Sequence, residues 1–186
     1  MMIGLLYGNF SRAAIQSVAG ESLIDTFALA NGDQNIRLSS GDNQGIAQSF
    51  TGNGAKITRC VVNMRAFGTI TGNIFAKIYA ITGTSGSSAI PTGSALATSD
   101  AIDVSTIASG VNQNYSFNFS GANQFQTVNG TNYALSIEYS GGDISNNVGI
   151  VVDASSPIDD GNNSTLVSSV WSAVTTQDLC FELYGF

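Results

Sequence analysis

Residues 57–67 read ITRCVVNMRAF, and the alternation in this stretch decides the fold. Cys60, Val62, Met64 and Ala66 fall on one side of an extended chain, with Arg59, Asn63 and Arg65 on the other. Successive side chains of a strand point to opposite faces, so the stretch predicts a strand with one face in a core and one in water. The same period returns along the chain. Residues 113–119 set Tyr115, Phe117 and Phe119 against Asn114, Ser116 and Asn118. Residues 132–139 set Tyr133, Leu135, Ile137 and Tyr139 against Ala134, Ser136 and Glu138. Near the C-terminus Leu179, Phe181 and Leu183 alternate with Asp178, Cys180 and Glu182.

Less regular runs complete the pattern. Residues 73–82 (NIFAKIYAIT) are apolar on both faces except at Lys77, which predicts a strand inside a sheet. Residues 148–152 form a short apolar run, and 22–28, 46–51 and 94–104 are weaker strand candidates. Turn residues separate these runs: Gly52-Asn53-Gly54, Gly83 to Ser88, Pro91-Thr92-Gly93, Asn129-Gly130, Gly141-Gly142-Asp143 and Asp160-Gly161-Asn162. Asn and Gly tolerate positive φ, which suits them to such positions. Helical character is confined to residues 9–19, with Asn9 or Ser11 as a cap. The expectation is an all-β protein: an antiparallel β-sandwich, jelly-roll-like, over residues 22–186, with a short N-terminal arm over residues 1–21.

Composition narrows the function. Only 10% of the 186 residues are charged, and 21 are glycine. Ordinary domains carry about 25% charged residues, so hydroxyl and amide side chains must solvate much of this surface. The formal net charge is −7, with six Lys and Arg. Tracking a phosphate backbone needs clustered basic side chains, so nucleic acid is excluded as a partner, and so is an anionic membrane surface. In the opening MMIGLLYGNFSRAAIQSVAG no basic residue precedes the apolar ones, and Gly4, Gly8 and Asn9 interrupt them. A signal peptide wants a basic start, and a membrane span needs ~20 apolar residues. The stretch reads as an apolar arm, with a disordered leader as the alternative.

Catalytic parts are hard to find. The chain has no histidine, which removes the usual general base and any Ser-His-Asp arrangement. Neither cysteine has a neighbouring base, and no phosphate-cradling glycine motif occurs. Cys60 sits on an apolar face and Cys180 on the polar face of its strand, so the two are expected as free thiols. Paired carboxylates are the remaining enzymatic route, with Asp143, Asp153, Asp159 and Asp160 close in sequence. Such residues shape loops through their own backbone hydrogen bonds, which is the favoured reading. Asp153, Asp159 and Asp160 are weak candidates for calcium, since the DDGNN segment lacks the spacing of a calcium-binding loop. Trp171, the sole tryptophan, is either core or a platform for stacking on a glycan.

Several ordered strings resemble a known family. They are IAQSFTGNGAKIT (46–58), TGNIFAKIYAITGTSGSSAIPTGSALATSDAIDVSTI (71–107), GTNYALSIEYSGGDISNNVGIVVDASSP (130–157) and DLCFELYG (178–185). Together they resemble the jelly-roll-like modules labelled choice-of-anchor domains, found in phage structural proteins and bacterial surface proteins. The resemblance runs from about residue 22 to the end and carries no catalytic residues. It implies a virion component, as a capsid decoration or cement protein or a tail or head fibre module. Its partners would be other virion proteins of the capsid or tail, or a second copy in a homo-oligomer. In that expectation the arm residues Ile3, Leu5, Leu6, Tyr7 and Phe10 dock on a neighbouring subunit. The alternative is a carbohydrate-binding module on a virion or cell surface, with Trp171 as its contact.

Overall fold

The structure, a computed structural model, describes residues 20–155 and 159–186. The arm residues Ile3, Leu5, Leu6, Tyr7 and Phe10 lie outside the described residues. The strands are β1 (Ser22–Phe27), β2 (Gln34–Leu38), β3 (Asn43–Thr51), β4 (Lys56–Phe67), β5 (Asn73–Thr82), β6 (Ile90–Thr98), β7 (Ile102–Asp103) and β8 (Gln113–Asn118). They continue as β9 (Phe125–Gln126), β10 (Asn132–Glu138), β11 (Asn147–Asp153), β12 (Asn163–Val167), β13 (Val170–Val174), β14 (Asp178–Leu179) and β15 (Phe181–Gly185). Only short 3-10 turns interrupt them among the described residues. The molecule is all-β, as the alternation predicted.

One continuous hydrogen-bonded sheet folds over to make both layers of a sandwich. In the first layer β4 is the organising strand: β15 and β11 share one edge, and β8 and β9 take the other. β1 lies outside β15, and β2 outside β11. The second layer runs β13, β12, β3, β10, β5, β6. A single parallel bridge, Leu38 with Asn43, joins the layers; every other pairing of named strands is antiparallel. The residues read as inward-facing meet in one core. Cys60, Val62 and Met64 of β4 and Phe117 of β8 pack in the same cluster as Ile46 of β3, Ile78 of β5 and Leu135 and Ile137 of β10. Burying a side chain of this size stabilises by about 1.5–3 kcal/mol, so this cluster drives the fold.

The structure corrects some local readings. Pro91-Thr92-Gly93 is not a turn but part of β6, where Gly93 has φ +71 beside a register shift against β5. Among the described residues β6 runs along the outside of β5, and an edge strand can accommodate a proline that cannot donate a ladder bond. Cys180, expected on the polar face, is fully buried. It sits where β14 ends its pairing with β11 and β15 begins its own with β4, and the turn carrying Gly32 closes over its sulfur. Both thiols are free, as expected. Strands β2, β12 and β13 had no clear alternation in sequence, because their outward positions are not uniformly polar.

The second layer also curls. Tyr79 of β5 and Trp171 of β13 are separated by β10, β3 and β12, about 19 Å across a flat sheet. Their ring centroids are 6.4 Å apart at an interplanar angle of 64°. The outer face therefore folds into a trough. Its floor is small: Ala47, Ser49, Ala134, Ser136 and Ser164 face away from the main core and are still buried.

Candidate functional site

Gln48 lies in the middle of β3, at the parity of Ile46 and Phe50, so its amide points to the core side of the sheet. Its Nε2 donates to Asp159 Oδ2 at 2.8 Å and to Asp178 Oδ1 at 2.7 Å. Its Oε1 accepts from the Leu179 N–H at 3.1 Å. One buried amide thus holds two carboxylates and the start of the last strand segment together. Beside it opens a cavity of about 240 Å³ lined by Ile24, Asp25, Phe50, Ser85, Asp159 and Asp160, among others.

Among the described residues no Lys or Arg forms an ion pair with these carboxylates. Burial pushes the Asp159 carboxyl up to about 6, helped by the charges of Asp25 and Asp178 and opposed by the Gln48 hydrogen bond. Burial also raises Asp178 and Asp25. The ion pairs among the described residues, Arg59 with Glu21 and Lys77 with Glu138, lie elsewhere. What the cluster can do is hold a proton at mildly acid pH. Among the described residues the partners of Asp159 and Asp178 are the Gln48 amide and backbone N–H groups.

The sequence candidates scatter around this cluster. Asp159 and Asp160 line the cavity. Asp153, at the end of β11, accepts from the N–H and the hydroxyl of Ser155. Asp143 is in a different loop, where it accepts from the N–H groups of Ser145 and Asn146 and shapes the turn as expected. Among the described residues no three His, Cys, Asp or Glu side chains are grouped to hold a metal ion. Sequence reading missed Gln48, Asp25 and Asp178. The available signal was a glutamine at core parity between Ile46 and Phe50.

Trp171 is half-buried on the β12–β13 hairpin, with its ring edge against Tyr79 and its outer atoms over Gly45. Tyr79 Oη donates to Glu138 Oε1 at 2.9 Å, and Lys77 Nζ pairs with the other oxygen. The indole edge closes one side of the trough while the residue stays partly exposed.

A third surface lies at one end of the sandwich. The β12–β13 turn is tied to β3 by Ser169 N–H donating to Gln44 Oε1, and the 140–146 loop to the β2–β3 turn by Ser40 N–H donating to Gly141 O. These loops expose Val167, Val170 and Ile144, the last at 81%. Register places the opposite end at Ser22, Gly185 and Ile57, where Gly20 lies beside Phe186. Gly20, the first described residue, therefore lies at the far end from the apolar loops. No family model matches this chain, and no curated protein or solved structure was found to match it.

Proposed function

We propose that the chain is a non-enzymatic structural protein of a phage particle, acting as a capsid decoration or fibre module that is built in by contact at both ends. The observation that carries this reading is the separation of its two apolar features. Val167, Val170 and Ile144 project at one end, and the apolar sequence of residues 1–19 joins at the other. Exposed apolar tips on hydrogen-bonded loops are what a protein contact needs, and an arm that orders on assembly buries much area with few residues. The resemblance of the sandwich strings to modules of phage structural proteins supports the same reading. The histidine-free, sparsely charged composition fits a role in which nothing is catalysed. The test is particle incorporation. Deletion of residues 1–19 is expected to abolish loading while leaving a folded domain, and Ile144→Asp with Val170→Asp to weaken contacts between neighbours. Normal loading of the truncated protein would sink the arm.

A glycan-binding role at Trp171 is the second reading, favoured by the indole's partial exposure on an edge hairpin. It expects glycan-array signals that disappear in Trp171→Ala.

A further inference from the structure

Three strands of the first layer bring Arg37, Gly149 and Arg65 into one row on the outer face, through the pairs Gly149–Arg37 and Gly149–Arg65. The glycine leaves a gap, and the Phe67 ring fills it: a Cβ on Gly149 would meet Phe67 Cε2 at 2.6 Å. Both guanidinium carbons lie over this ring, Arg37 at 4.5 Å and Arg65 at 4.3 Å from the centroid. Neither arginine forms an ion pair with a carboxylate of the described residues. That is unexpected in a chain with thirteen acidic and six basic residues, where carboxylates are in excess.

The surroundings share the same character. Asn35, Asn63 and Asn147 border the row, and each has a buried amide oxygen without a hydrogen-bond partner, as does the Arg65 Nε. Leaving buried polar atoms unpaired costs folding free energy, and four of the seven such atoms among the described residues lie around this pair of arginines. A guanidinium stacked on a ring is held in place while its N–H edges stay free, the arrangement that forks a carboxylate. Amide oxygens accept from hydroxyl groups. We propose that the Arg37–Phe67–Arg65 row binds a carboxylated saccharide, the two guanidinium groups taking the acid and the half-exposed Asn35 and Asn63 turning to meet sugar hydroxyls. The site is on the opposite layer from Trp171 and does not depend on the virion reading.

The test uses the full chain, calorimetric titration at low salt, and four probes: an oligogalacturonate, its methyl ester, poly-glutamate and inorganic phosphate. The oligogalacturonate is expected to bind, with the methyl ester about tenfold or more weaker, since a hydrogen bond to a charged group is of that worth. Arg37→Gln, at an exposed position, should fold normally and weaken binding by a similar factor; Arg65→Gln should do the same. The arginine Nε resonances of Arg37 and Arg65 should shift on titration. Unchanged affinity in folded Arg37→Gln, or no binding of the oligogalacturonate, overturns the site. Equal binding of poly-glutamate overturns the saccharide in favour of an acidic peptide. Inorganic phosphate binding as tightly as the oligogalacturonate overturns the carboxylate.

Discussion

Glu21 and Arg59 show how much one pair of side chains can anchor. The Arg59 Nε donates to Glu21 Oε2 at 2.7 Å, Thr58 Oγ1 donates to the other carboxylate oxygen, and the guanidinium carbon sits 3.7 Å from the centre of the Tyr184 ring. Both side chains are nearly solvent-free, so removing one leaves an uncompensated buried charge. Glu21→Ala is expected to cost about 3–5 kcal/mol in chemical denaturation, and Glu21→Gln combined with Arg59→Met to recover much of that loss. Asp159 works in the other direction. Its carboxyl titrates at about 6 in the folded protein and near 3.9 when unfolded, so between those values the native state holds more protons. Stability from this group is therefore highest below about 4 and falls as pH rises toward 6. Asp178 and Asp25, also raised, add to the same slope. Asp159→Asn keeps an acceptor for Gln48 and should flatten that slope. Discounted for the solvent side of the cavity, the gain at neutral pH is on the order of 1 kcal/mol, or about 2–4 °C in Tm. Cys60 and Cys180 are buried thiols held above their ordinary range by burial, Cys180 at about 12. Neither should react with a thiol reagent until the protein unfolds, which a labelling time course against denaturant will show.

Among elements, the β12–β13 hairpin carries a local conflict. Its two-residue turn places Ser168 at φ 49 and Ser169 at φ 66, a left-handed conformation that disfavours side chains with a Cβ. Each such residue costs roughly 1–2 kcal/mol, whereas Asn-Gly adopts the same turn easily. Replacing Ser168 with Asn and Ser169 with Gly is expected to raise stability by about 1 kcal/mol or more, read as a shift in denaturation midpoint at unchanged slope. The hairpin matters because β13 carries Trp171 to one side of the trough and holds Val170 outward. A gain in stability with unchanged particle loading would mean the serines serve no contact of their own.

For the whole molecule, the continuity of the sheet has a direct consequence. β4 pairs with four other strands, and the two layers share one core, so no part of the sandwich has a core of its own. Heating or denaturant should give one cooperative transition, the same by tryptophan fluorescence from the outer trough as by far-UV circular dichroism. Trp171 reports on the curled second layer, so an earlier fluorescence change would show the β12–β13 hairpin separating from the rest.

Alternation, with the turn residues between the runs, made the all-β class of the chain legible. In β8 a strict two-residue period meets a simple environment, core on one side and solvent on the other, whereas β4 and β10 keep the period but are buried on both faces along most of their length. It could not place β2, β12 and β13, or tell that Ala47, Ser136 and Ser164 are buried, since the curl of the second layer makes a solvent-type face into a second interior. Carboxylates close in sequence drew attention to Asp143, Asp153, Asp159 and Asp160, but loops at two ends of the sandwich separate them. The partners that matter, Gln48, Asp25 and Asp178, come from strands far apart in the chain. The Arg37–Phe67–Arg65 row is of the same kind. Arg65 alone read as the wet side of a strand, and only the pairing of β2, β11 and β4 across Gly149 set a second guanidinium beside the same ring. Local periodicity reports which face a side chain takes; strand register decides what stands next to it.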